Sequence, residues 1–413
     1  MQSSRGKRVL IVASTTGYQT RMFLDAAATL GYEAVLATDR CHALDDPWGD
    51  RALPLRFEDP RSCADVLAGE AAVDGIVALG DRPAYIAALI AERLTLPFHS
   101  VESVSNCRDK YLSRSKFQNA GLLAPRFFRI PLDREPQQSA RESPYPCVLK
   151  PLGLSASRGV IRANDPAEFS NAVQRIHTLL NASEIRRLGD EQNRFIQVET
   201  FIPGREFALE GIVTRGKLHV IALFDKPDPL DGPFFEETMY VTPSRTATST
   251  QDAIRHTTAS AVGALGLTDG PIHAEMRVNH QGVWMLEIAA RPIGGLCAKV
   301  LPDLPKNILQ HAVGEMPAIG PARQAAGVMM IPIPRAGVFQ NVTGVDAAKQ
   351  LPGIEDVIVT AKPGEKLVPL PEGNSYLGFI FARGDHPGEV EAALRASHAE
   401  LSFEIVAALH VMS

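Results

Sequence analysis

Short apolar runs alternate with amphipathic stretches of helical period from residue 8 to about residue 100. The runs 9–13, 34–38 and 75–79 read as buried strands, and 20–30, 62–70 and 83–94 as helices. This β-α rhythm predicts a parallel sheet with helices on both faces. Asp39 follows the first strand-to-helix turn at a spacing known from dinucleotide sites. That turn, Ser14-Thr15-Thr16-Gly17-Tyr18, has a single glycine where such sites use three, which argues against one. A helical stretch over 106–120 opens a new unit, and the proline-rich 134–146 reads as a loop. Strand 147–150, loop 151–159, helix 166–180, strand 195–199, strand 205–211 and a hairpin ending near Phe224 follow. The Pro- and Gly-rich run 225–243 reads as a long loop, a type often functional. Helix 250–265 precedes a hairpin at 273–291. Strands 328–333, 357–360 and 376–382 with helix 387–401 predict a small α+β unit.

The chain has 413 residues, enough for two or three domains at one per ~150 residues. Hydrophobic content of 45% with 22% charged residues is that of a globular protein. A formal net charge of -5 offers no electrostatic case for nucleic acid or an anionic membrane, so small molecules are the expected partners. The cysteines (Cys41, Cys63, Cys107, Cys147, Cys297) are scattered and lack C-x-x-C spacing, which argues against disulfides and a zinc site. No signal-peptide pattern and no apolar run near ~20 residues is present, and the expected location is cytoplasmic.

The hairpin carries the most specific chemistry. With His280-Gln281-Gly282 as a three-residue loop, Asn279 pairs with Val283 and Glu275 lies opposite Glu287. Val278, Met276 and Ala274 then face Trp284, Leu286 and Ile288 on an apolar side. His273, Arg277, Met285, Ala289 and both glutamates share the other. A two-residue loop would put the glutamates on opposite faces. Like charges across a ladder repel, and oxygen ligands in such a pair suit a hard cation such as Mg²⁺. Exposed, unrelated glutamates are the alternative.

Lys150 ends a strand and precedes Pro151-Leu-Gly-Leu-Ser-Ala-Ser-Arg-Gly159, whose small residues allow backbone N–H groups to approach phosphate oxygens. A surface turn with Lys150 reaching outward is the plainer reading, and no P-loop motif exists. Glu199-Thr-Phe-Ile-Pro-Gly-Arg-Glu206 forms an apolar hinge that fits an adenine ring. Backbone groups of Thr200 and Ile202 would meet the purine edge and Glu206 the ribose. A hairpin with a charged rim fits the same residues.

Taken in order, Asp109-Lys110, Val148-Leu-Lys-Pro151, Glu199-x-Phe-Ile-x-Gly-Arg-Glu206, Glu275 and Leu286-Glu-Ile-Ala-Ala-Arg291 resemble the ATP-grasp superfamily. Glu287-Ile-Ala-Ala-Arg-Pro-Ile-Gly-Gly295 is similar to L-amino acid ligases of the bacilysin-synthetase type and to the ligase part of carnosine synthase. Gly337-Val-Phe-Gln-Asn-Val-Thr-Gly-Val345 and Ser375-Tyr-Leu-Gly-Phe-Ile-Phe-Ala-Arg383 resemble the last domain of such ligases.

The resemblance implies an ATP-grasp fold, mixed α/β and α+β, with a Rossmann-like domain at 1–104, the ATP-grasp domain at 105–322 and a C-terminal ligase domain at 323–413. It implies a carboxylate-amine ligase that joins amino acids through an acyl phosphate. Lys110, Lys150, Ser155 and Ser157 would hold the phosphates of ATP, Glu199, Thr200 and Ile202 its adenine, and Glu206 its ribose. Glu275 and Glu287 would bind two Mg²⁺ ions, with Mn²⁺ able to stand in. Arg291 would be catalytic, and with His273, Gly294 and Gly295 would contact the amino acids. Ala289 stands where many relatives carry an asparagine ligand, so water is expected to complete the metal's coordination. Small Gly294 and Gly295 imply room for a large side chain. A homodimer is compatible with the sequence. A ligase for another carboxylate, such as bicarbonate or formate, and a non-catalytic ATP-binding protein are the competing readings.

Overall fold

The computed structural model describes residues 6–407 apart from 16, 40–51, 71, 318, 319 and 321–323. Cys41 and the boundary expected at 322 lie outside the described residues. Strands Leu53–Pro54, Glu33–Thr38, Arg8–Ala13 and Gly75–Leu79 lie in that order in a sheet whose pairings are all parallel. The unbroken apolar run 9–13 in strand Arg8–Ala13 follows from cover on both faces. Val9 and Ile11 pack with Phe23 and Ala27 of helix Thr20–Leu30 and with Ile308 of helix Leu304–Ala312. Leu10 and Val12 pack with Ile86 and Ile90 of helix Asp81–Leu94. Asp39 accepts hydrogen bonds from the Thr15 amide (2.6 Å) and hydroxyl (2.7 Å), so it closes the first strand-to-helix turn.

A second, antiparallel four-stranded sheet runs Phe127–Pro131, Phe195–Thr200, Cys147–Pro151, Ile161–Ala163. Helix Pro166–Leu180 buries Phe169, Val173 and Ile176 against it. That helix starts where it does because Asp165 accepts from the amides of Ala167 and Glu168 and Pro166 occupies the first turn. The largest sheet is antiparallel and eight-stranded. Its order is Gly282–Ala289, Gly270–Asn279, Arg205–Thr214, Lys217–Asp225, Met239–Thr242, Ala325–Ile331, Gly378–Gly384, Ile354–Val359. It runs without a break from the glutamate hairpin into the C-terminal strands. A three-stranded sheet, Lys366–Leu367, Gly337–Thr343, Ser402–Val406, completes the fold. No helix among the described residues is long and apolar enough to cross a membrane.

Four local expectations change. The helical stretch 106–120 is two helices, Val101–Arg108 and Lys110–Asn119, broken at Asp109, whose carboxylate caps the second through Tyr111 and Leu112. The segment 134–146 contains helix Pro136–Glu142, with proline at its first turn where no N–H is required. The loop 225–243 contains the buried strand Met239–Thr242, held by pairing with Ala325–Ile331. The hairpin turn is His280-Gln281, with Asn279 opposite Gly282, Val278 opposite Val283 and Met276 opposite Met285. A β-bulge leaves Leu286 without a partner, and the ladder resumes with Glu275 opposite Glu287. The two-residue loop was expected to separate the glutamates, and the bulge cancels that slip. Fully buried Met285 therefore joins Met276 on the apolar side, while half-buried Leu286 lines the cavity.

Gly75 shows how closely the N-terminal sheet meets the rest of the chain, because a Cβ there would run into the Ala312 carbonyl. Gly75→Ala is expected to destabilise the fold by about 1–3 kcal/mol, since a backbone carbonyl gives way less than a side chain. Urea denaturation measures this, and an unchanged midpoint would contradict the packing.

Candidate active site

The sheets enclose a cavity of about 870 Å³ lined by every residue singled out in the sequence: Lys110, Lys150, Ser155, Ser157, Glu199, Thr200, Ile202, Glu206, His273, Glu275, Glu287, Arg291, Gly294 and Gly295. These residues come from all along the chain, and the N-terminal sheet adds Asp81 and Arg82 to the wall.

On one side is the small-residue loop. Ala156 (φ 56) and Ser157 (φ 53) are both left-handed. Among the described residues, the amides of Ser155, Ala156 and Ser157 donate to no protein acceptor, whereas those of Arg158 and Val160 close turns and that of Gly159 donates to the Pro371 carbonyl at 2.7 Å. Consecutive unpaired amides in such a turn form an anion-binding concavity. Lys110 Nζ donates to the Leu154 carbonyl at 2.5 Å, which places its charge at the loop. Arg158, by contrast, donates to the Glu372 carbonyl at 2.7 Å and ties the loop to the C-terminal unit.

At the hinge, Glu199 is 2% exposed and has Arg114 Nε at 2.8 Å and Lys150 Nζ at 2.7 Å. Gln197 donates to it at 2.6 Å. Burial alone would raise the Glu199 carboxyl, but the two cations bring it down to about 2. Burial lowers the Lys150 ammonium, and Glu199 does not fully offset this because Arg114 shares the same carboxylate. The Glu199 side chain is thus engaged internally. The Thr200 amide donates to Arg126 O (2.9 Å), and the Ile202 carbonyl accepts from Arg277 (2.7 Å). The Ile202 amide has no protein acceptor among the described residues.

Behind the hinge, Lys226 is buried among Glu206 (2.8 Å), Glu237 (2.6 Å) and Glu275 (3.1 Å). Burial works against its charge, yet the three carboxylates hold its ammonium well above the ordinary value. Glu206 also pairs with Arg277 (2.9 Å). The Tyr240 hydroxyl, with one proton to donate, lies 2.9 Å from Glu237 and 3.2 Å from Glu275. Burial and the Glu275 charge raise the Glu237 carboxyl to about 7 despite Lys226. Burial would lower His273, but bonds to Glu210 (2.6 Å) and Glu275 (3.3 Å) raise it to about 9. Glu287, directly across from Glu275, makes no hydrogen bond or ion pair among the described residues, so it is an uncommitted carboxylate in the wall. The Ala289 methyl lies on the same wall.

Arg291 donates to Asp81 through Nε (3.0 Å) and Nη2 (3.4 Å). Burial would raise Asp81, but Arg291, with Arg108 and Lys110 nearby, holds it below the ordinary value. Gly294 has open space around it, and a Cβ on Gly295 would meet the Phe379 ring at 3.3 Å. Tyr18 and Tyr376 pack edge-on against that ring at 5.7 and 6.0 Å, forming an aromatic wall.

Residues 143–300 match the ATP-grasp domain, and 329–406 match the L-amino acid ligase C-terminal domain 2. The fold superposes on the L-amino acid ligase from Bacillus licheniformis with a TM-score of 0.80 and 28% identity, over 98% of this chain and 100% of that one. The chain thus carries an ATP-grasp domain followed by an L-amino acid ligase C-terminal domain. It is 26% identical to the alanine–anticapsin ligase of Bacillus subtilis over 49% of its own length and 45% of that protein's. To the dapdiamide A synthase of Enterobacter agglomerans it is 26% identical, over 63% and 58% respectively. The alignments therefore span about half the length of these two relatives.

Several groups of the cavity were not found in the sequence. Lys226, Glu237 and Tyr240 lie in the segment read as a loop, where the adjacent acids Glu236 and Glu237 were the available signal. Asp81 in the wall and Arg114 behind Glu199 carry no local signal, because their partners are remote in sequence.

Glu199 sets an acid-stability profile. Its folded carboxyl is depressed to about 2 from 4.5, so the stabilisation is complete above about pH 4.5 and is lost as pH falls toward 2. At 1.36 kcal/mol per pKa unit this is about 3 kcal/mol. Glu199→Gln leaves Arg114 and Lys150 poorly compensated and is expected to cost about 3–5 kcal/mol at neutral pH. It is also expected to flatten the acid limb in denaturant titrations, and equal acid slopes would contradict the assignment.

Proposed function

We propose that the protein is an ATP-dependent ligase that joins two amino acids, or an amino acid and another amine, through an acyl phosphate, releasing ADP and phosphate. The observation that carries this reading is Glu287, an uncommitted carboxylate held opposite Glu275 in the same cavity as Arg291 and the unpaired amides of 155–157. Adenine would lie in the hinge against the Ile202 amide, near Thr200 and the backbone of Glu199, with Glu206 toward the ribose. Lys110, Lys150, Ser155 and Ser157 would hold the phosphates. Use of ATP suits a cytoplasmic setting.

Glu275 and Glu287 offer only oxygen donors, which fits Mg²⁺, or Mn²⁺ in its place. Glu275 and Glu287 would hold up to two such ions, and the Ala289 methyl would supply no ligand. Such ions supply positive charge to the transferring phosphoryl group. The first amino acid's carboxylate attacks the γ-phosphorus and ADP leaves. The second amino acid's amine then attacks the acyl carbon and phosphate leaves. Arg291, kept in place by Asp81, steadies the charge that develops on the acyl phosphate and the tetrahedral intermediate. His273 faces the same space and would contact the second amino acid. The aromatic wall and Gly294 suit a large side chain on at least one substrate.

A matrix of amino-acid pairs, assayed by phosphate release and product mass, is expected to show turnover that requires amino acids and does not occur with bicarbonate. Glu287→Gln is expected to lower phosphate release by roughly 100-fold or more, and unchanged release would sink the metal assignment. Gly294→Phe, which fills the open space, is expected to reduce kcat/KM for large amino acids by about 10-fold while sparing alanine. A panel in which only glycine and alanine react with the wild type would contradict the large pocket.

A further inference from the structure

Two arginines in the cavity wall are unused by the reaction as described. Arg82 is the second residue of helix Asp81–Leu94, and Arg108 is the last of helix Val101–Arg108. Their side chains are only 14% and 15% exposed, and both line the cavity. Arg82 donates to the Phe57 carbonyl at 2.7 Å and to the Asp190 carboxylate. Arg108 lies over the Tyr85 ring, 5.1 Å from its centroid. Its nearest carboxylate oxygen, also on Asp190, is 3.8 Å away. Among the described residues Arg108 donates no hydrogen bond, so a largely buried fork of donors points at one distant acceptor. Burial lowers the Arg108 guanidinium, and the Arg82 charge adds to this against Asp190.

The largely buried Arg108 guanidinium, which shares its nearest carboxylate with Arg82, is under-compensated. Forked donors of this kind are built to receive carboxylates in pairs of parallel hydrogen bonds. Asp190 belongs to the unit that carries the phosphate loop, whereas both arginines sit beside the N-terminal sheet, at the carboxyl ends of its strands. That edge is where open parallel sheets receive ligands. Asp81, adjacent to Arg82 in sequence, holds Arg291. A ligand carboxylate on the arginine pair would thus bring an amino group on the neighbouring carbon toward Asp81 and the reacting centre.

We propose that Arg82 and Arg108 form the seat for the α-carboxylate of the second, amine-donating amino acid, with Asp190 as a stand-in carboxylate that the substrate displaces. This rests on the ligase reading above. It narrows the second substrate to free α-amino acids, because an amine or amino-acid amide lacks the group that the arginines hold. It also gives Asp190 a role in substrate competition that a plain tie between two units would not have.

The test separates the two half-reactions. With ATP, Mg²⁺ and hydroxylamine, the first amino acid alone yields a hydroxamate that reports acyl phosphate. Dipeptide formation is then compared for a second amino acid and for its amide. Wild type is expected to prefer the acid by at least about 10-fold in kcat/KM, as charge-assisted hydrogen bonds imply. Arg108→Met, which keeps an unbranched apolar side chain but removes the guanidinium, is expected to raise KM for the acid about 10- to 100-fold and erase that preference. Hydroxamate formation and the reaction with the amide should stay within about two-fold, and Arg108→Lys should recover part of the preference. Asp190→Asn is expected to lower KM for the acid and leave hydroxamate formation in place. Equal loss with acid and amide in Arg108→Met, or loss of hydroxamate in Asp190→Asn, means a structural tie and overturns the seat. If no amino acid gives hydroxamate with the wild type, the ligase reading fails and the seat fails with it.

Discussion

Two like-charged carboxylates, Glu275 and Glu287, are held across one ladder by a bulge at Leu286, and the rest of the site is arranged around that repulsion. Glu275 is compensated from within the protein by Lys226 and His273. Glu287 has no such partner among the described residues. A carboxylate pair with one member satisfied and the other open attracts a cation from outside. The strand partners make the arrangement rigid, since Gly270–Asn279 is also paired with Arg205–Thr214 along most of its length. That same neighbour brings Glu206 to the cavity and sets the fully buried Glu210 behind His273.

The buried charges follow a common pattern. Glu199 has Arg114 and Lys150, Glu206 has Lys226 and Arg277, and Asp81 has Arg291. Each pair restrains the side chain that a ligand would meet and limits the penalty of keeping that charge out of water. Charged groups held in place before substrate arrives need little reorganisation during reaction, which is how an electrostatic site accelerates chemistry. The pairs also link units distant in sequence. Asp81 at the N-terminal sheet holds Arg291 of the large sheet, and Glu372 of the C-terminal unit holds Arg158 and Arg175 beside the phosphate loop.

Much of the fold was legible because hydrophobic periodicity is local. Helices Thr20–Leu30 and Pro166–Leu180 and strand Gly75–Leu79 end where the pattern and their flanking residues end them. The elements that were missed are those whose stability comes from elsewhere. Strand Met239–Thr242 sits in a proline-rich stretch and exists because Ala325–Ile331 pairs with it. The hairpin is instructive in another way. Its expected pairing of the glutamates holds, although the turn is one residue shorter than expected, because the bulge restores the register.

The sequence alone determined the strands and helices with strong local periodicity, and the ordered lysine, hinge, glutamate and arginine motifs of an ATP-grasp ligase. Those properties depend on spacing along the chain, where a residue's neighbours are known. Only the tertiary structure decided which buried charges face one another. It put Lys226 between three carboxylates, Asp81 against Arg291, and Arg82 with Arg108 around Asp190. The physical reason is that the energy of a buried charge depends on its distance from other charges and from water. Those distances come into being only when segments far apart in the chain are packed together.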